Sequence, residues 1–492
     1  MRILLVIPPS EFLIDDRAFP FLGPLQIAAV ARDAGHEVRV CDLTGHARRC
    51  SNQRHEDCLL RLSCDELLAA GAGFSPNLIG FYALYAHFPI VSKLLGFLRC
   101  CQEYDGARIV IGGPHANTSP EECIAAGFDF AVVADQGGGG GEAGFLRLLA
   151  ELAPEEKRSG LRTAPEPIVK VPSRPDGAGA DRGGETGYFN DRWPYPARDL
   201  IDLESYRYVV DGRRFTTAVS QAGCPFNCHF CGHWSEADGT GGYTKLVLRS
   251  PAHVRGEIEQ IVENYPWARG IMFYDDEVNI RPDFGDFLAM LSECREKFDL
   301  RFRGFFKSGK SFMRAEIFAS MAKAGFIELC TGVEAADPHL LRMVGKGATV
   351  EDNTRFVELC AENGIAMKLF SMVGHPDETW ETVRRLRDWL CEMVRRTDNR
   401  ARINADVTIL TPTRHTPIWD KPEKFANLKF DRSIDFGREL VHYKGKPGEY
   451  KAFTTTLGLS AAQLIEARQW VEDEFRAAAG LPPLMAAGKD DG

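Results

Sequence analysis

Long apolar runs are absent from this 492-residue sequence. A transmembrane helix needs about 20 consecutive apolar residues, and no stretch reaches that length, which excludes an α-helical membrane protein. Basic runs are absent as well. The formal net charge is −10, and no stretch supplies the phosphate-neutralising face of a nucleic-acid groove. The cluster Arg395, Arg396, Arg400 and Arg402 reads as a solvated helix end. A secretory signal is also missing: the opening M-R-I-L-L-V-I-P-P-S is too short in its apolar part and too soon broken by proline. It reads as a buried first strand, and a cytoplasmic protein is expected.

Cysteine is plentiful, with 14 in the chain. In a large chain without a signal this suggests reduced thiols and metal ligation rather than disulfides. Cys294, Cys330, Cys360 and Cys391 fall in apolar helical patterns and read as small core residues. Cys50, Cys58 and Cys64 lie near His46 and His55, but too loosely spaced to make a second metal site the favoured reading.

Two to four domains are expected at this length. The first ~150 residues alternate strand and helix patterns, with strands at 2–7, 37–41, 77–82, 107–111 and 130–134. Such alternation predicts a parallel, doubly wound sheet, which binds ligands beyond the carboxyl ends of its strands. Residues 151–210 read as a connector, with a Gly/Asp/Arg/Pro-rich stretch at 173–189. From about 215 the alternation resumes in some six units, with strands at 215–220, 270–274, 302–307, 327–333, 367–373 and 404–410. That is too few for an eightfold barrel, so a partial (β/α)6 barrel is expected over 211–416. A small, mostly helical cap is expected over 417–492.

The tightest constellation is Gly223-Cys224-Pro225-Phe226-Asn227-Cys228-His229-Phe230-Cys231. Structural zinc takes four closed ligands, so Cys224, Cys228 and Cys231 would need a remote fourth, for which His229 and His233 are candidates. A cubane iron–sulfur cluster takes four thiolates in ordinary ferredoxins; three thiolates on one loop leave the fourth iron open to a ligand. Here the chain resembles the radical S-adenosylmethionine (SAM) enzymes. In that family the open iron chelates SAM through its amino and carboxylate groups, and one electron cleaves SAM to a 5′-deoxyadenosyl radical. The resemblance implies a 4Fe-4S cluster on the three cysteines and Phe230 near the adenine. It also implies Asp275 or Asp276 at the SAM amine, Glu334 at its ribose or amino acid part, and Gly374 in close approach to adenine or SAM. The run from Leu341 to Gly347 and the turn Gly374-His375-Pro376-Asp377-Glu378-Thr379 also resemble family patterns, although Lys346 reads first as a helix C-terminal cation and Glu378 as a first-turn helix carboxylate.

The first ~150 residues resemble the cobalamin-binding, Rossmann-like domain that precedes the radical SAM core in one large subfamily. The runs G-P-L-Q-I-A-A-V-A-R-D-A-G-H-E-V-R-V-C-D and I-G-G-P-H-A-N-T-S-P-E-E carry this likeness. It implies that Gly112, Gly113, Pro114, Gly137 and Gly138 approach the corrin's nucleotide tail, and that Tyr85 lies on the loop under cobalt, with His87 close by. The D-x-H-x-x-G motif that supplies a cobalt-ligating histidine is missing. The glycine run 137–141 stands where an acidic turn is usual, with Glu142 as its remnant.

Together these resemblances imply a cobalamin-dependent radical SAM enzyme with a 4Fe-4S cluster, SAM and cobalamin as cofactors. The implied reaction is methyl transfer to an unactivated carbon of a small-molecule or natural-product substrate. An external one-electron donor such as flavodoxin or ferredoxin is implied, and neither nucleic acid nor membrane. A cyclase or rearrangement enzyme with the same cofactors is the alternative. A corrinoid carrier fits less well because the triad is intact. A methylthiotransferase acting on RNA would need a second cysteine triad and a basic C-terminal domain, and neither is present. No residue is singled out as a catalytic acid or base.

Overall fold

The computed structural model describes residues 1–10, 13, 15–46, 55–134, 140–153, 166–171, 189–232, 246–397, 402–434 and 450–483. They form two compact units: Met1–Tyr208 with Val247–Arg249, and Val209–Leu246 with Ser250–Gly492.

In the first unit, β1 (Arg2–Ile7), β2 (Glu37–Asp42), β3 (Leu78–Tyr82), β4 (Arg108–Gly112), β5 (Phe130–Ala134) and β6 (Ile168–Val171) make one sheet in the order β2-β1-β3-β4-β5-β6. Every recorded pairing is parallel. A parallel sheet is covered on both faces, so its inner strands β1 and β3 are buried in near-continuous apolar runs, whereas β2, at the edge, alternates. Strand β1 shows how the two faces divide. Leu4 and Val6 join Val91, Leu94 and Leu98 of the helix Phe88–Cys100 in one core. Ile3 and Leu5 join Ala28 and Ala29 of the helix Leu22–Asp33, with Leu148 of Gly140–Glu151, in the other. The doubly wound sheet expected from the sequence is the fold found. Strand β6 was not expected; it lies inside the stretch read as a connector and pairs Ala131 with Ile168.

The second unit is built on β7 (Tyr208–Val210), β8 (Arg213–Ala218), β9 (Gly270–Phe273), β10 (Arg301–Phe305), β11 (Phe326–Glu334), β12 (Ala366–Val373) and β13 (Ile403–Ile409). They lie side by side in sequence order, and the pairings from β8 to β13 are parallel. Six consecutive parallel strands with helices between them are the partial barrel. Helix starts follow their capping signals: the Ser250 side chain accepts His253 N–H, and Asp337 accepts the N–H groups of His339 and Leu340. The late helix Ala461–Ala478 buries Leu464, Ala467, Val471 and Phe475 in the core shared by the barrel strands and helices. Arg468 of that helix donates to Val407 O at 2.9 Å.

Two cysteine readings need correction. Cys58 is disulfide-bonded, so the thiols are not all reduced. Cys330 lies on strand β11 rather than in a helix, although it is buried as expected. Among the described residues, no helix is long and apolar enough to cross a membrane.

Candidate functional site

Strand β8 delivers the chain to Ser220 and Gln221, where a carboxylate from the next strand end holds it. Asp275 accepts the N–H of Ser220 at 2.6 Å, the N–H of Gln221 at 3.3 Å and the Ser220 hydroxyl. Arg281 donates to that hydroxyl at 3.1 Å and pairs with Asp283 at 2.6 Å. Burial pushes the Asp275 carboxyl up to about 6, against the donors that favour its ionised form. This clamp fixes the entry to the loop of Cys224, Cys228 and Cys231.

The far side of the loop is held by the turn that follows β11. His229 N–H donates to Val344 O at 2.9 Å, and its Nδ1 lies 2.8 Å from Met343 O. Gly345, at φ +67°, leaves room for the Asn227 carbonyl, which a Cβ there would overlap. The Nδ1 of His229, one candidate fourth zinc ligand, is thus engaged; His233, the other, lies outside the described residues. None of the three thiols is disulfide-bonded, and all are half-buried. Among the described residues, no three His, Cys, Asp or Glu side chains converge as a single ion would require.

Beneath the loop is a group of buried charges. Lys346 Nζ lies 2.9 Å from Glu334 Oε1, so this lysine is an interior ion-pair partner and not a helix cap. Burial alone would lower its pKa; the Glu334 charge overrides this and holds it up. Glu334 closes β11 at φ +58° beside an irregularity in the β11–β12 register. Lys307, just past β10, is 2% exposed and donates to Lys346 O at 2.5 Å. Glu277 Oε2 is buried without a hydrogen-bond partner. Burial pushes its carboxyl up to about 7, opposed by Lys346 and Lys307. Burial also raises the Cys228 thiol, and the same two lysines oppose it.

The remaining sequence-predicted residues gather at the same strand ends. Asp276 is half-buried between Asp275 and Glu277. Phe230 packs on Leu410, Ile418, Phe425 and Leu428, just past β13. Gly374 follows β12 at φ +101°, and its N–H and that of His375 both donate to Glu378 Oε2. Glu378 therefore closes this turn rather than opening a helix; the helix Trp380–Arg396 starts at the Thr379 cap. Sequence reasoning did not single out Lys307, whose only signal was a cation ending an apolar run.

These residues fit a three-thiolate cluster with an open iron. The donor set is three thiols on one turn, none of them disulfide-bonded; cations lie under it, and the buried Glu277 oxygen has no hydrogen-bond partner among the described residues. Cys224, Cys228 and Cys231 would hold it.

The first unit carries its own crevice. The sheet order reverses between β1 and β3, the place where open parallel sheets take ligands. A cavity of about 190 Å³ lies there, lined by Leu5, Ile27, Gly80, Tyr82, Gly112, Gly113 and Phe145 among others. An apolar cavity of about 150 Å³ takes a benzene ring, so there is room for a flat base such as that on the corrin's tail. Gly113 sits at φ +98°, where a Cβ would come within 3.0 Å of Ala83 O. Pro114 opens the helix Pro114–Thr118, and Tyr85 lies on a short turn after β3, its ring 5.7 Å from that of His115. His87 is buried, with Nε2 2.5 Å from Ser10 Oγ and Nδ1 accepting Leu84 N–H at 3.3 Å. Glu142 lines the cavity. Gly137 and Gly138 lie outside the described residues. The residues present fit a corrinoid with its base tucked into the sheet edge.

Residues 19–139 match the family model of the B12 binding domain, and residues 219–390 match that of the Radical SAM superfamily. The chain is a cobalamin-dependent radical SAM enzyme. Its cofactors are a 4Fe-4S cluster, SAM and cobalamin. An uncharacterized methyltransferase of Pyrococcus horikoshii is 25% identical over 435 residues, covering 85% of this chain and 83% of that one. The hopanoid C-3 methylase of Methylococcus capsulatus is 24% identical, covering 90% and 76%. An anaerobic magnesium-protoporphyrin IX monomethyl ester cyclase of Rubrivivax gelatinosus is 30% identical over 206 residues, but this covers only 40% of this chain and 35% of that one. Among solved structures, the radical SAM methyltransferase TsrM from Kitasatospora setae, with cobalamin and a [4Fe-4S] cluster bound, superposes with a TM-score of 0.62. At 19% identity, covering 97% of this chain and 88% of that one, it establishes the shared fold.

Proposed function

We propose that this cobalamin-dependent radical SAM enzyme moves a methyl group from SAM, by way of cobalamin, to an unactivated carbon of a small-molecule substrate. The observation that carries the reading is the joint presence, in one chain, of an open three-thiol loop and a corrin-type sheet with an apolar crevice at its switch point. The two curated relatives matched over most of this chain carry the names methyltransferase and methylase, which supports methyl transfer.

When bound, the cluster with SAM supplies radical chemistry and cobalamin supplies a transferable methyl group. The chain's own residues position these groups. Asp275 holds the entry of the cysteine loop, while Asp276 and the unpartnered Glu277 oxygen accept the SAM ammonium. Glu334, fixed by Lys346, would face the ribose or amino acid part, and Phe230 and Gly374 would flank the adenine. Gly112, Gly113 and Pro114 let the backbone approach the nucleotide tail, and Tyr85 stands on the cobalt side. An external one-electron donor such as flavodoxin or ferredoxin supplies the electron.

The test is anaerobic reconstitution followed by mass analysis with candidate substrates. Methyl transfer consumes two SAM per product, so S-adenosylhomocysteine and 5′-deoxyadenosine should form in near-equal yield, with one methylene unit gained by the substrate. Deoxyadenosine without matching S-adenosylhomocysteine or mass gain would favour the cyclase reading instead, to which the partial match with the Rubrivivax cyclase gives some weight.

A further inference from the structure

Lys307 is buried without a direct counter-ion among the described residues; the opposite charges that act on it at longer range are those of the loop thiols and Glu277. Its side chain is 2% exposed, its ammonium donates to Lys346 O at 2.5 Å, and no ion pair forms with it among the described residues. Glu334 is held by Lys346 at 2.9 Å. A buried ammonium without a negative partner is costly by several kcal/mol. Such a group is retained where the anion arrives with a ligand. The direction in which it faces identifies that ligand: Nζ lies 4.6 Å from the ring centroid of Phe226, which sits in the cysteine loop between Cys224 and Cys228.

We propose that Lys307 is the electrostatic counter-ion of the iron–sulfur cluster and a positioning residue for its loop. Three thiolates outweigh the charge of an oxidised cubane by one. The one-electron reduction, drawn from the external donor, adds a second negative charge and breaks no bond. A fixed cation under the loop therefore stabilises the bound cluster and favours its reduced state over its oxidised state. The contact with Phe226 is the mechanical half of the same role, since a cation over an aromatic face is attractive. It ties the arm from Cys224 to Cys228 to the end of β10. Lys346 adds to the field but is paired with Glu334 at 2.9 Å, whereas Lys307 has no such direct partner among the described residues and feels Glu277 at longer range.

This inference rests on the reading that the triad holds a cluster, and the experiment separates the two. The full chain and the variants Lys307→Gln, Lys307→Arg and Lys307→Met are reconstituted anaerobically without SAM. Iron and sulfide are counted, denaturant unfolding of the second unit serves as a folding control, and the cluster is titrated with dithionite under electron paramagnetic resonance. Gln keeps a donor for Lys346 O but loses the charge. It should lower the reduced-to-oxidised ratio at a given potential about tenfold, equivalent to about 59 mV for one electron. Arg should restore the ratio to within about twofold of wild type, and Met should lose iron to a chelator several-fold faster. A Gln variant with the wild-type potential overturns the proposal and leaves the rival in which Lys307 serves only the SAM carboxylate; a lowered potential excludes that rival, because no SAM is present. Should Met fail to fold, Gln still decides. A wild-type chain that takes up no cluster would instead defeat the functional reading itself.

Discussion

Lys346 and Glu334 form an ion pair of 2.9 Å in which each side chain is less than one-tenth exposed. Such pairs contribute little over an apolar substitute, but breaking one leaves a buried charge alone. Lys346→Met should therefore destabilise the second unit by about 3–5 kcal/mol. Adding Glu334→Gln to that variant should recover part of the loss. Denaturant unfolding, read on the transition of the second unit, tests this; an unchanged midpoint for Lys346→Met would show that the pair is not holding the fold.

Replacing Cys224, Cys228 and Cys231 with Ala should abolish the iron–sulfur absorption and deoxyadenosine formation. Corrinoid binding should persist, because the cavity between β1 and β3 is lined entirely by residues of the first unit. Reductive SAM cleavage by the triple variant would mean that the cluster is held elsewhere.

Neighbouring glycines should behave differently. Gly113→Ala forces a side chain into φ +98° and against Ala83 O, and should cost about 1–3 kcal/mol and weaken corrinoid binding. Gly112→Ala meets no protein atom within 4 Å and should leave stability unchanged, although it adds a methyl group to the cavity lining. Thermal melts and corrinoid titrations of the two variants, side by side, provide the check. Equal behaviour would remove the backbone argument.

Glu378 predicts a pH dependence. Burial pushes its carboxyl up to about 8, against the Gly374 and His375 N–H groups and with Asp337 adding to the rise. An unfolded Glu titrates near about 4.3, so between there and about 8 the folded chain binds the proton more tightly. The stability from this group is thus complete below the unfolded pKa and is lost as pH rises through the folded one. Asp275 and Glu277 shift in the same direction, so the difference between wild type and Glu378→Gln isolates the effect. That difference should change with pH over about 5 to 8, the wild type losing relative stability as pH rises. A flat difference would contradict it.

Much of the fold could be read from pattern alone because parallel strands are apolar on both faces and spaced by helices. Strand β9 illustrates this, with Ile271, Met272 and Phe273 all buried. Strand β6 was missed because four residues between glycine- and proline-rich stretches carry too little periodicity. At the site, the cysteine spacing and the Lys346-Gly347 ending were visible because they are local. The Asp275–Ser220 clamp was not, because it joins residues 55 apart through a hydrogen bond that no periodicity encodes. Lys307 escaped for a related reason: a lysine at a strand end normally points to water, and only the packing shows that this one does not.

The helix Ala461–Ala478 lays Leu464, Val471 and Phe475 into the barrel core, and this sets an order of manufacture. On the ribosome, the cysteine loop emerges more than two hundred residues before that helix. Throughout that interval the loop exists while part of the barrel's apolar interior is still uncovered. Iron loaded early would meet an unfinished, water-exposed scaffold; iron loaded after residue 478 meets a closed one. A chain stopped near residue 460 would display the thiols yet lack the helix that seals the wall behind β13.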